Sequence, residues 1–216
     1  MNKVFRISEE AAVSTFALLF AILLITPGTI GVQTVFAQVS TSTNQTINLT
    51  VNQTITLTLS STTLNLSSLT PGVPVSATSS ATVSTNAATG WNLKVNRVSA
   101  PSTLASSSIT FPDFTSWNGS NSTTTDLIGA NLHFRVMQTG TAAGLYSSIF
   151  WGSSDTDGAA GAKYGGFPTT AQTIASTSTY GGTAQVVIMK IRADAPATQQ
   201  ATNYTGQVTV TAITNP

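Results

Sequence analysis

The chain has 216 residues, with eight Lys or Arg, seven Asp or Glu, no cysteine and a formal net charge of +1. This composition excludes the basic surface that nucleic-acid binding requires, and it excludes disulfides and thiolate metal sites. An apolar content of 41% excludes a highly charged disordered chain.

The first 37 residues have the pattern of an export signal helix. Lys3 and Arg6 precede an uncharged apolar run. Val35 and Ala37 then provide acceptable residues at the −3 and −1 positions of a secretory cleavage site. We expect cleavage after Ala37. The alternative is an uncleaved anchor, because residues 11–32 carry no charge and are long enough to cross a bilayer of about 30 Å. Membrane contact would then be made through that segment alone, and in both cases we expect the remaining chain to be extracellular, at the cell surface.

From Ile47 to Leu59 the next segment alternates between apolar and polar residues, with Gln53 as the exception among the odd positions. Residues 44–51 and 52–59 are two copies of one eight-residue pattern, and the even positions from 46 to 60 are all Thr, Asn or Ser. Because side chains alternate across a strand, this pattern predicts a β-strand with one apolar face. The strand would belong to the chain's own sheet, or it would add to the sheet of a neighbour. The candidate residues for such strand addition are Ile47, Leu49, Val51, Ile55, Leu57 and Leu59.

Further short strands follow, separated by turns rich in Gly, Pro, Asn and Ser. We predict strands near residues 75–85, 90–95, 132–136, 186–191 and 204–213. With about 7–9 strands in all, the expected fold is all-β, an antiparallel β-sandwich preceded by the export helix.

The expected domains are a signal peptide or anchor at 1–37, an extended β arm at 38–66 and the sandwich at 67–216. The sandwich core should contain the apolar residues that alternate within these strands. They are Trp91, Leu93, Phe134, Val186, Ile188, Val208 and Val210.

Seven Asn-x-Ser/Thr sequons make N-glycosylation a possibility for an exported chain. Those of the arm lie on its polar face, so glycans there would point to water. The alternative is chance, because residues 38–216 contain 59 Ser or Thr. The candidate sites are Asn44, Asn48, Asn52, Asn65, Asn118, Asn121 and Asn203.

Side chains for catalysis are scarce. Residues 38–216 contain five Asp, no Glu and one His. His133 alternates with apolar neighbours, which favours a solvent-facing strand position over a general base. Residues 155–158 have part of a calcium-loop pattern, but the third ligand and the bidentate Glu are missing, which favours a turn. We therefore expect no enzyme activity, no cofactor and no metal.

Four aromatic residues fall in the long connections between predicted strands. Exposed, they would stack on a glycan or a partner; otherwise they pack at the rim of the core. They are Trp117, Trp151, Tyr164 and Phe167.

The stretch Thr89-Gly-Trp-Asn-Leu-Lys-Val95, with the C-terminal strand at 204–212, resembles WxL-type bacterial cell-surface domains. The resemblance implies a β-sandwich at the cell surface that attaches to peptidoglycan. In that family a second Trp-x-Leu closes the domain, whereas this chain has Val210-Thr-Ala212. The order of signal, arm and sandwich is also similar to that of camelysin/TasA-like donor-strand fibre subunits.

The expected function is that of an extracellular structural protein, a surface coat or filament subunit assembled by β-strand addition. Its partner would be another copy of itself. The alternative is a non-catalytic surface module that binds a cell-envelope polymer or a glycan.

Overall fold

The structure, a computed structural model, describes residues 42–125 and 129–216. The described part is confirmed as all-β: its helices are a 3₁₀ turn at Asn121–Thr123 and α1 at Ser148–Trp151. The predicted export helix lies outside the described residues. The strands in chain order are β1 (Ile55–Leu59), β2 (Val75–Thr85), β3 (Trp91–Arg97), β4 (Ala105–Ser106), β5 (Ile109–Thr110), β6 (Leu132–Val136), β7 (Gln172–Thr177), β8 (Gln185–Ala193) and β9 (Val208–Thr214).

The strands form two larger antiparallel sheets and one small pair. The four-stranded sheet has the order β1-β2-β8-β6, the three-stranded sheet has the order β7-β3-β9, and β4 pairs with β5. Strand β8 is central in its sheet, in keeping with its apolar run, because a central strand meets neighbours on both sides and is covered on both faces. All of these elements lie within one compact unit, Thr50–Pro216.

A single hydrophobic cluster takes side chains from both larger sheets. Trp91, Leu93 and Phe134 are fully buried, as predicted. The indole N–H of Trp91 donates to Gln185 Oε1 at 2.9 Å, so its polar atom is satisfied within the core. On β9 the predicted face is also confirmed, because Val208 and Val210 pack against this cluster.

The prediction for β8 was wrong in phase. Val187 and Met189 are the buried residues of the cluster, whereas Val186 and Ile188 are only half-buried. Ile188 lies against the turn at Gly140, where an added Cβ would come within 2.4 Å of its Cδ1. Residues 186–189 are all apolar, and without alternation the sequence gives no indication of which set faces the core.

Strand β3 begins after a glycine that no other residue could replace without strain. Gly90 has a φ of 80°, and a Cβ at this position would lie 2.2 Å from the carbonyl oxygen of Thr177 on β7. The turn therefore needs both the left-handed backbone and the missing side chain. This requirement explains why glycine precedes Trp91.

The N-terminal strand is shorter than the alternating pattern predicted. Only Ile55–Leu59 form a strand, and Ile55 pairs with Thr85, the last residue of β2. Because β2 ends there, the sheet offers no partner for a longer strand. Residues 42–53 have no helix or strand and are exposed.

In the described part of the chain no helix is both long enough and apolar enough to cross a bilayer. The predicted anchor at residues 11–32 lies outside that part.

Candidate functional site

The arm segment, defined as residues 44–51, presents apolar side chains that are largely exposed in the described part of the chain. Ile47 is 84% exposed, Leu49 86% and Val51 73%. In the second copy of the pattern, by contrast, the equivalent side chains of β1 are half-buried and pack against the core. Two copies of one pattern are therefore found in two different states.

Strands β1 and β9 each pair with a single neighbour, and β1 also contacts β9. The amide of Val98 donates to Gln207 O and that of Asn215 donates to Gly90 O. Because hydrogen-bonded pairs alternate along antiparallel strands, the odd residues of β9 bond to β3. The even residues, Val208, Val210 and Ala212, therefore direct their N–H and C=O groups to an edge with no partner strand among the described residues.

An apolar groove of about 380 Å³ lies beside this edge. Five consecutive residues line it: Val208, Thr209 and Val210 at the start of β9, and the two residues before the strand, 206 and 207. Leu59 at the end of β1 and Leu64 and Leu66 after it form the opposite side. No charged side chain lines the groove, so a ligand suited to it is apolar and uncharged.

A cluster of charged residues lies on the face of the four-stranded sheet that points away from the hydrophobic cluster. His133 and Arg135 on β6 lie opposite Arg192 and Lys190 on β8. The loop after α1 supplies the counter-charges: Asp155 pairs with Arg135 at 3.0 Å, and Asp157 pairs with Lys190 at 2.6 Å. Tyr164 also donates to Asp157. The cluster members are His133, Arg135, Asp155, Asp157, Tyr164, Lys190 and Arg192.

The solvent-facing position expected for His133 was wrong, because its side chain is 1% exposed. The rings of Phe114 and Tyr164 pack against it at 5.7 and 5.3 Å. Arg192 Nη1 lies 3.0 Å from His133 Nε2. A guanidinium only donates, so Nε2 accepts and the ring hydrogen is on Nδ1. Nδ1 has no hydrogen-bond partner in the described part of the protein.

Burial, and next the Arg192 charge, lower the pKa of His133 from 6.5 to about 4, against a weaker raising effect of Asp157. The imidazole is therefore neutral at pH 7. A neutral, enclosed ring that accepts from an arginine is held as a structural group, not as a base open to a substrate.

The carboxylates of Asp155 and Asp157 each accept hydrogen bonds from several groups of the protein. Burial acts to raise the pKa of Asp155, but the backbone N–H groups of Thr139 and Gln138 and the Arg135 charge outweigh it and lower the pKa. Burial also acts to raise the pKa of Asp157, but hydrogen bonds from Lys190 and Tyr164 outweigh burial, so the pKa of Asp157 is lowered. These carboxylates bind the protein itself, which agrees with a structural turn at 155–158. Within the described residues no group of three or more His, Cys, Asp or Glu is placed to hold a metal ion.

We expect the free energy of unfolding to fall as the pH drops from about 6.5 to about 4. In this window the unfolded chain protonates His133 and the folded protein does not, so stability is complete above the unfolded pKa and decreases as the pH approaches the folded one. A shift of this size corresponds to a loss of roughly 2–4 kcal/mol. Urea unfolding at pH 7, 5.5 and 4.5 measures it.

His133→Gln is the control for this pH dependence, because an amide oxygen can still accept from Arg192 but does not titrate. Its stability should be nearly flat over the same window. An equal slope in both proteins would assign the effect to other groups.

The proposed contact role of the loop aromatics is corrected by their burial. Trp117, Trp151, Tyr164 and Phe167 are between 0% and 2% exposed. Trp117 packs on Trp151 with ring centroids 5.0 Å apart, and Phe167 stacks on Phe134 at 4.6 Å. Tyr164 packs instead against His133. Because all four rings are covered by other side chains, none is left for a glycan to stack on. The alternative, packing with the core, is the one realised.

The sequon asparagines are all exposed. This holds for Asn44, Asn48, Asn52, Asn65, Asn118, Asn121 and Asn203. Of the five other described asparagines, only Asn86 is exposed, and its side chain bonds to Thr54 N and Asn52 O. The sequons are therefore accessible to a modifying enzyme, whereas most other asparagines are not.

The charged cluster was missed by the sequence analysis, although a signal for it exists. Six of its seven residues occur as three pairs spaced two apart, at 133/135, 155/157 and 190/192. On a strand such spacing places both members on one face. The pairing of β6 with β8, which brings the pairs together, could not be deduced from spacing alone.

Comparison of the chain with protein-family models, curated proteins and solved structures found no match.

Proposed function

We propose that this chain is an extracellular structural protein, a coat or filament subunit that assembles by β-strand addition. Its two larger sheets would pack as an antiparallel β-sandwich, an arrangement supported by the hydrophobic cluster that both sheets supply. The arm would join one copy to another. The shared layout of signal, arm and sandwich with camelysin/TasA-like subunits is consistent with this role.

One observation carries the proposal: the arm segment exposes three large apolar side chains at alternate positions of the sequence, 47, 49 and 51. Isolated exposed apolar residues are common on soluble proteins, but a row at strand spacing is typical of an interaction surface. Residues 38–93 also contain no charge. Nothing in this stretch opposes edge-to-edge pairing, which natural sheets usually prevent with lysine or other charged residues.

The energy available from the arm is sufficient for a stable contact. Burying each of Ile47, Leu49 and Val51 contributes about 1.5–3 kcal/mol, so the three together contribute roughly 5–9 kcal/mol. Backbone hydrogen bonds along an added strand contribute further. Part of this energy offsets the ordering of the arm on binding.

Leu49→Asp is expected to raise the concentration needed for assembly by at least about 100-fold, because a leucine contact is lost and a carboxylate would have to enter an apolar site. Thr50→Asp, which adds the same charge on the polar face of the arm, should change it only a few-fold. Sedimentation and negative-stain microscopy of protein made without N-glycosylation measure the difference. Both residues are exposed, so the unfolding temperature should be unchanged.

Equal assembly of the two variants would remove the arm from the mechanism. Absence of any polymer from the native cell surface and from purified wild-type protein would contradict the structural role as a whole.

We also propose that at least one of the seven sequons carries a glycan, which their exposure supports. The native protein should then be heavier than its polypeptide by a mass that glycosidase removes. An intact mass equal to that of the bare chain would refute this part of the proposal.

No observation favours the alternative of glycan binding through loop aromatics, since the four candidate rings are buried. Peptidoglycan attachment through a WxL-like motif finds no separate support either: Trp91 and Leu93 are both 0% exposed.

A further inference from the structure

We propose that the acceptor for the arm segment is the open edge of β9 in a second copy of the chain. The arm would add there as a strand, with Ile47, Leu49 and Val51 entering the groove beside that edge. This inference rests on the proposed function and specifies its site.

The backbone of β9 is arranged to receive a strand. Among residues 42–125 and 129–216, no strand pairs with Val208, Val210 and Ala212 on that side, while their side chains face the core. Their N–H and C=O groups are those that an added antiparallel or parallel strand would bond. The lengths also match, because the eight residues of the arm segment extend about 26 Å and the seven of β9 about 23 Å.

The groove distinguishes β9 from β1, the other open edge nearby. Residues 206–210, the last three of which are the first residues of β9, line it without interruption, and these include Gln207 and Thr209, whose side chains are exposed. A cavity lined by both faces of a strand lies along the edge of that strand. From β1, only Leu59 contributes. Side chains added next to β9 would therefore enter the groove, whereas those added next to β1 would meet it at one end.

Strand β1 demonstrates that the arm pattern is suited to this position. It is the second copy of the same pattern, and it lies at a sheet edge with Ile55 and Leu57 toward the core and Thr56 and Thr58 exposed. An arm docked in the same manner would keep its even positions in solvent. The sequons at Asn44 and Asn48 are at even positions, so glycans there would not obstruct docking.

Neither surface carries charge. No charged residue lines the groove, and none occurs in the arm. Because the side chains that would meet are all uncharged, docking would leave no ionic group unpaired.

The chain has no cysteine, so single cysteines can report the contact. Subunits carrying Asn48→Cys would be co-assembled with subunits carrying Thr209→Cys or Thr211→Cys, which point outward on β9. Controls carry Thr58→Cys on β1 or Ser176→Cys on β7, both exposed. After mild oxidation, disulfide-linked dimers are measured on gels and identified by peptide mass. Cross-strand neighbours have a Cα separation that allows a disulfide.

We expect crosslinking of position 48 to 209 or 211 to exceed crosslinking to 58 and 176 at least tenfold. A polymer in which position 48 links instead to 58 or 176, or to none of the four, would overturn the β9 assignment and leave strand addition intact. If the wild-type chain forms no polymer, the proposed function itself fails, which sedimentation establishes before any crosslink is read.

Discussion

Asp155→Ala is expected to lower the free energy of unfolding by about 3–5 kcal/mol, because it leaves a buried positive charge without its counter-ion. Arg135 is 0% exposed, and Asp155 is its acidic partner at 3.0 Å. The same carboxylate accepts from the backbone N–H groups of Gln138 at 2.9 Å and Thr139 at 2.7 Å. The substitution would therefore leave two amides and a guanidinium short of acceptors. Urea unfolding followed by circular dichroism at pH 7 measures the loss.

The matched control is Asp194→Ala. Asp194 has a buried Oδ1 with no hydrogen-bond partner and forms no ion pair within the described residues. Its removal should change stability by less than about 1 kcal/mol or should stabilise the protein. If the two variants were equally stable, the ion pair of Asp155 would contribute nothing beyond its packing.

Trp151→Ala is expected to cost about 3–5 kcal/mol through the cavity it leaves. Trp151 is fully buried, with Trp117 at 5.0 Å and Phe134 at 5.4 Å between ring centroids. Loss of the ring would also loosen the contact between α1 and the core, because the other residues of that helix are not buried. Thermal unfolding and the near-ultraviolet dichroism of the remaining tryptophans should both change.

Ile149→Ala in the same helix gives the comparison, since Ile149 is 64% exposed. Its effect should stay within about 0.5 kcal/mol. An equally small loss for Trp151→Ala would contradict the packing described, because it would mean that neighbouring side chains fill the cavity with no loss of stability.

Alternation in the sequence was sufficient to locate β3 and β6, because each of these strands has one set of residues facing the core. It failed for His133, where the pattern indicated solvent. The loop carrying Asp155 and Asp157 folds over that face, and alternation reports only the face that is apolar, not whether the polar face is covered. The spacing of residues within a strand does not show whether a loop from a distant part of the sequence packs on its polar face.

The arm illustrates a second limit of sequence reasoning. Both copies of its pattern favour a strand, but a strand exists only where a neighbour supplies hydrogen-bonding groups. The end of β2 opposite Ile55 decides where β1 begins, and that register is a tertiary property. For the groove, the apolar residues of β9 could be predicted from the sequence. That Leu59, Leu64 and Leu66 line the same groove could not, because it depends on the tertiary fold.

The ion pairs within the fold have a consequence for the environments in which the protein can work. Arg97, Arg135, Lys190 and Arg192 all lie within 4 Å of a carboxylate of the same molecule. Little charge is then left to act at a distance, so dissolved salt has little to screen between neighbouring molecules. If such subunits form a layer, the stability of the contacts between them would depend little on ionic strength.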